Sequence, residues 1–368
     1  MRTVYLTVLL FLSFSQVFGQ VSLDQAKKNL DAGKFQEAKS DLTKVINSEP
    51  KNKMALDLRG QARAALEDFY GAISDYTYAL EIDSTYAEAF NHRGLAKAAL
   101  GDDAAAIEDF DKAIRINPRY TEAYTNRGLA KFNVDDLQGA YFDFSKALEL
   151  GPPDADKYFE RGFIKAELGE FVSAIDDYSQ AIELDKNDAT LYNYRGVAHY
   201  GVGNIEQAIA DYDQAIKLNP EDPVTFENRA LAKTALEDYT GALQDYNKAI
   251  ALDGEDPETH YLRGIVHYYL EDYDNAIKDF TRAIELDDTN PIYFDNRGLS
   301  KAAKEDYSGA VDDFTKSIEL YPNDAETFYQ RALAKVSLNN QYDACLDFKR
   351  AAELGSTEAK QDIKKHCK

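Results

Sequence analysis

The chain has 368 residues, with 42 Lys and Arg against 65 Asp and Glu and a formal net charge of −23 at pH 7. This acidity argues against nucleic acid and anionic lipid as partners, because both are bound through clustered Lys and Arg, and the sequence holds no such patch. With 44% hydrophobic residues the chain can bury a core, and two cysteines, Cys345 and Cys367, are too few for a fold built on disulfides.

Residues 1–19 differ from everything after them. Arg2 precedes an uncharged, mostly apolar run from Val4 to Phe18, short for a spanning helix of about 20 residues. Val17 and Gly19 stand at the −3 and −1 positions of a cut before Gln20. The stretch reads as a cleaved secretory signal peptide, with an uncleaved anchor as the alternative. No later stretch suits a membrane span, so the expectation is an exported chain, periplasmic or extracellular, with no stable membrane insertion after cleavage.

Residues 20–52 are a degenerate unit. Ala26, Ala38, Asp41 and Pro50 fall at spacings that the rest of the chain repeats. From 53 to 358 a 34-residue unit recurs nine times without insertion. Position 7 of the unit is arginine every time, from Arg59 to Arg331, and position 23 is aspartate every time, from Asp75 to Asp347. Position 8 is glycine except at Ala230 and Ala332, position 20 is always alanine, and position 24 is always Tyr or Phe. Position 4 is usually aromatic.

The spacings 4, 8, 11 and 20, 24, 27 are stripes on two helices. Turn signals such as Leu100-Gly101-Asp102 separate them, and breakers such as Pro118, Pro152, Pro220 and Pro322 end the unit. Each unit is therefore expected to be an antiparallel pair, helix A and helix B. Glycine at 8 and alanine at 20 let the two backbones approach. One unit exposes too much apolar surface to stand alone, and stacked neighbours bury it. Residues 359–368 read as a C-terminal capping helix.

This pattern resembles the tetratricopeptide repeat family, whose signature is W-x2-L-G-x2-Y, then A-x3-F, then P. The third unit reads Tyr124-x2-Arg127-Gly128-x2-Lys131, then Ala140-x3-Phe144, then Pro152. The resemblance runs from about residue 50 to the end. It departs where arginine replaces leucine and where Lys or His mostly replaces tyrosine at position 11. It implies an all-α, right-handed superhelical solenoid in which the A helices line a concave groove through positions 2, 5, 6, 9, 12 and 13. It also implies a non-enzymatic scaffold for a protein or peptide partner.

The recurring arginine and aspartate are expected to pair, as Arg195 with Asp211, because a guanidinium fork binds a carboxylate through two bonds. The other reading, an arginine row open to an anionic ligand, is weakened by nine matched acids. Lysines at position 11 are expected to lend their stems to the same layer. No phosphate loop, metal-ligand spacing or nucleophile motif stands in the chain, so no catalytic residue, metal or cofactor is proposed. His260 and His267 fall at packing positions.

The groove positions carry no Lys or Arg in any full unit. They therefore lack the basic clamp with which some members of the family grip acidic C-terminal peptides. They do carry amides at Asn91, Asn126, Asn193, Asn228, Asn296 and Gln330, similar to the asparagine ladder that holds peptide backbones in the repeats of O-linked N-acetylglucosamine transferases. They also carry aromatics at Phe159, Phe163, Tyr194, Tyr200, Tyr261, Tyr268, Tyr269 and Tyr329. The plainer reading of both sets is packing along helix A. Cys345 and Cys367 are either a disulfide holding down the terminal helix or two small buried residues. The alternative function is a structural subunit of an envelope or secretion assembly that uses its caps or convex face.

Overall fold

The computed structural model describes residues 22–367, so the segment read as a signal peptide lies outside the described residues. Those residues form 21 helices and no strand. The first pair is α1 (Leu23–Asp31) and α2 (Phe35–Ser48). Repeats one to four are α3 (Lys53–Ala64) with α4 (Phe69–Ile82), α5 (Ala87–Ala98) with α6 (Asp103–Ile116), α7 (Thr121–Asn133) with α8 (Leu137–Leu150), and α9 (Ala155–Glu167) with α10 (Phe171–Leu184). Repeats five to seven are α11 (Ala189–Gly201) with α12 (Ile205–Leu218), α13 (Pro223–Ala235) with α14 (Tyr239–Leu252), and α15 (Pro257–Tyr269) with α16 (Tyr273–Leu286). Repeats eight and nine are α17 (Pro291–Ala303) with α18 (Tyr307–Leu320) and α19 (Ala325–Ser337) with α20 (Gln341–Glu353). The chain closes with α21 (Thr357–His366), which begins two residues before the boundary expected at 359. The chain forms two compact units, one up to Ile164 and one from Lys165 on, so the division falls within α9.

The A–B turn is the same in every repeat, for local reasons. Its middle residue has positive φ, a region where an L side chain costs energy and glycine does not. Gly101, Gly169 and Gly203 meet it with glycine, whereas Glu237 (φ 60) and Glu271 (φ 59) carry the strain. In most repeats the next residue caps helix B: the Asp68, Asp102, Asp136 and Asp238 carboxylates accept from the backbone N–H three residues on, whereas Glu170 and Asn204 make no such bond.

Within a repeat, helices A and B meet at position 8. A Cβ on Gly196 would lie 2.6 Å from the Tyr212 ring. The bare glycine thus lets a large aromatic close against the backbone. Position 20 alanines and position 24 rings are fully buried along both units.

The arginine lattice ties repeats together. Arg59, Arg93, Arg127, Arg195, Arg229, Arg263, Arg297 and Arg331 each fork onto the aspartate of their own repeat, with Nε to Oδ2 at 2.8–3.0 Å and a terminal nitrogen to Oδ1 at 2.6–2.8 Å. The pair therefore joins helices A and B of one repeat, and the other terminal nitrogen crosses to the preceding one. It reaches position 25 there, as Arg93 to Thr77 (3.0 Å), Arg195 to Ser179 (3.1 Å) and Arg229 to Asp213 (2.6 Å). The position 4 ring lies over the same guanidinium, 5.5 Å away for Phe90 over Arg93. Position 11 lysines contribute more than stems: Lys97, Lys233 and Lys335 each place Nζ 2.7 Å from the aspartate.

Candidate functional site: the inner face of the A helices

Consecutive A helices touch one another, as α3 with α5 and α5 with α7 in the first unit, and along α11, α13, α15, α17 and α19 in the second. This contact sets position 5 of one repeat against position 6 of the next. Asn126 donates to Asn91 at 2.9 Å and Asn228 donates to Asn193 at 3.0 Å. Four of the six amides therefore form two bonded pairs rather than a continuous open row. Asn296 stands apart and donates to its own helix at Ile292 O (2.9 Å). Asn91 is only 3% exposed. After pairing, Asn126 and Asn228 each keep a carbonyl oxygen and one N–H, enough to meet one peptide unit.

The aromatic candidates fall into separate clusters. In the first unit Phe163 packs edge-on to Phe132 (5.6 Å) and stacks with Phe159 (6.4 Å). In the second unit Tyr194 leans on the buried Tyr178 (6.2 Å), and Tyr200 packs against Ala208, Tyr212 and Ala232. Tyr261 sits between Phe280 and Tyr293. Each of these rings is partly buried. Tyr329 packs on Phe348 and donates to Asp362 (3.0 Å).

Tyr268 and Tyr269 belong to a different arrangement. Tyr269 is 59% exposed and stacks on Tyr239 at 5.5 Å with 14° between planes. Tyr268 meets Tyr269 and Tyr273 edge-on. Four tyrosines thus gather where α15 ends and α14 and α16 begin. Tyr239 and Tyr273, both at position 17 of their repeats, were not singled out from sequence.

The electrostatics of this face are one-sided. Glu227, Glu258, Asp295 and Glu326 form no ion pair among the described residues, in contrast to the position 23 aspartates. Their partners are neutral: Thr259 for Glu227, Tyr293 for Glu258, Thr327 for Asp295 and Gln330 for Glu326. Burial pushes the Asp295 carboxyl up to about 6, helped by Asp324 and Glu326 and opposed by hydrogen bonds from Ser317 and Thr327. Burial likewise raises Glu227 and Glu160.

His260 is buried with Nε2 3.2 Å from Gly254 O, and His267 Nδ1 lies 3.3 Å from Asp272. No group of three or more His, Cys, Asp or Glu among the described residues is placed to hold a metal ion. No described helix is long and apolar enough to cross a membrane. Cys345 and Cys367 are joined in a disulfide with Cα atoms 5.5 Å apart, which ties α21 to α20.

Sequence profiles described as tetratricopeptide repeat match residues 87–120, 189–222 and 257–290, and a related profile of that description matches 23–87. A third, described as TPR repeat, matches 164–203 and 230–270. No curated protein matches the chain. Among solved structures, a tetratricopeptide repeat protein from Parabacteroides merdae ATCC 43184 is 20% identical with a TM-score of 0.50, over 67% of this chain and 99% of that one. The Cut9–Hcn1 hetero-tetramer of the APC/C is 16% identical with a TM-score of 0.49, over 94% and 82%. YrrB, a TPR protein with an unusual peptide-binding site, is 24% identical with a TM-score of 0.47, over 51% and 97%. The first of these likenesses bears on the fold alone.

Proposed function

Because this chain belongs to the tetratricopeptide repeat family, we propose that it is a non-enzymatic scaffold binding a peptide or protein segment along the inner face of its A helices. The observation that carries this reading is the tyrosine group of α14, α15 and α16. Tyr269 is largely exposed and already stacked on Tyr239, so a partner ring or aliphatic chain would bury both without a large ordering cost. The Asn126 and Asn228 amides supply backbone-type hydrogen bonds, and the unpaired acids disfavour acidic segments. With no Lys or Arg on these positions, this face is unsuited to nucleic acid and to the acidic C-termini that a basic clamp would hold.

We place the protein outside the cytoplasm, periplasmic or extracellular. Residues 1–19 support this as a signal peptide, and the Cys345–Cys367 bond suits an oxidising compartment.

The second reading is a structural subunit that docks through its end or convex side. Tyr342 (77% exposed) and Leu346 (50% exposed) on α20, next to the disulfide, favour it. Hydrogen exchange with and without a captured partner separates the two. Protection over α13, α15 and α17 supports groove binding; protection confined to α20 and α21 transfers the function to the cap.

A further inference from the structure

The nine repeats of this chain are their own control, and one departure from their common pattern meets two residues of variable positions at one place. Position 9 is apolar in every repeat except the first, where it is Gln61. Position 6 is histidine in one repeat, at His92. Position 5 holds Asp57, 3% exposed, where the next seam has the Asn91–Asn126 pair. The three are bonded together: His92 Nδ1 lies 2.8 Å from Asp57 Oδ1, and Gln61 Nε2 donates to Asp57 Oδ2 at 2.8 Å.

These residues stand beside a cavity of about 230 Å3 lined by Gln61, Ala64, Phe69, Tyr76, His92, Leu95 and Ala96. Small residues open it. Position 12 is Ala64 here, whereas the third repeat fills that position with Phe132. The volume is below the ~300–1,000 Å3 of small-molecule sites and suits a single side chain. The walls are a ring (Phe69), the Tyr76 ring 5.8 Å from the His92 ring, and aliphatic carbon.

Apart from the Tyr76 hydroxyl, the polar groups of the cavity have one sense. A carboxylate only accepts, so Asp57 takes the Nδ1 proton of His92 and one amide proton of Gln61. In its neutral form the imidazole presents Nε2 as an acceptor, and Gln61 presents Oε1 as another. The buried Asp57 charge behind both favours a donor in front of them. We propose that this cavity is an anchor site for an aromatic side chain carrying its own N–H or O–H donor, the indole of tryptophan or the phenol of tyrosine. The source of that side chain, a partner segment on the A-helix face, rests on the function proposed above.

The chain contains no tryptophan, so an indole probe is read by fluorescence without background. The probe is a short Gly-Ser-flanked peptide with Trp at its centre, and the same peptide with Tyr or Phe is the competitor. Three variants use the chain's own alternatives and so are expected to fold, which circular dichroism checks. Gln61→Leu restores the apolar residue, Asp57→Asn with His92→Asn installs the amide pair, and Ala64→Phe fills the cavity. The expected result is Trp binding by the wild type, competition by Tyr, and competition by Phe weaker by about tenfold or more, since a site that pairs a donor rejects the ligand lacking it. The first two variants lose that preference, and Ala64→Phe loses Trp binding. Equal competition by Phe, unchanged binding in Ala64→Phe, or no binding by the wild type overturns the anchor site. Any of these leaves the wider groove reading to be decided by partner capture.

Discussion

Arg195 and Asp211 stand on the two helices of one repeat and share a two-bonded fork, Nε to Oδ2 at 2.8 Å and a terminal nitrogen to Oδ1 at 2.6 Å. The carboxylate hydrogen bond, with burial opposing it, raises the Arg195 guanidinium further above its usual range. Removing one partner strands a charge in a mostly buried place. Arg195→Met is expected to cost about 3–5 kcal/mol. Arg195→Met with Asp211→Met is expected to cost less than the single change. Urea denaturation of the wild type, Arg195→Met, Asp211→Met and the double variant checks this, and simple addition of the two single losses would show that the pair does not act as a unit.

The tie to the preceding repeat is weaker and more exposed. Asp213 receives the outer nitrogen of Arg229 at 2.6 Å and is 58% exposed. Asp213→Ser copies the Ser179 arrangement seen one repeat earlier. Its expected cost is about 0.2–1 kcal/mol, reduced by salt, because an exposed pair is screened by solvent. Melting of wild type and variant at low and high ionic strength measures it.

Asp295 gives stability a pH dependence of known sign. Its folded pKa is pushed up to about 6, against about 3.9 in an unfolded chain. Between those values the native state holds a proton that the unfolded state has released. This contribution is therefore present below about pH 4 and is lost as pH rises through about 6. Asp295→Asn keeps the acceptor for Thr327 and removes the charge. It should stabilise the protein at pH 7 by about 1–2 kcal/mol after discounting for solvent screening at a partly exposed group, with the gain vanishing near pH 4. Denaturant titrations at the two pH values check the sign.

The disulfide closes a stretch of 22 residues around the α20–α21 turn. Cys345→Ser with Cys367→Ser is expected to loosen α21 by about 2–4 kcal/mol while leaving α11 to α18 unchanged, because each repeat contacts only its neighbours. Hydrogen exchange resolved by helix reads both halves of that statement.

The helix pairs and the Arg–Asp fork were legible because both recur at one spacing with one residue type. Position 25 was not, although it receives every recurring arginine. It is Thr77, Asp111, Ser179, Asp213 or Asn247 in different repeats, alike only in offering an oxygen. The inner face was hidden for another reason. Its rungs join position 5 of one repeat to position 6 of the next, a separation of 35 that a 34-residue alignment sets in different columns. Asn91 and Asn126 therefore looked like two members of an open row instead of one bonded pair. The tyrosine group combines positions 12, 13 and 17 of two repeats, and only packing brings Tyr239 onto Tyr269.

Partner capture decides whether the inner face of the A helices is the binding surface. The chain from Gln20 is used as bait beside a variant with Asn126→Ala, Asn228→Ala, Tyr268→Ala and Tyr269→Ala, its helicity verified by circular dichroism. Groove binding predicts that the wild type retains a partner from an extract of its source cells and the variant does not. Equal retention by both would contradict it and locate the interaction on the caps or the convex side.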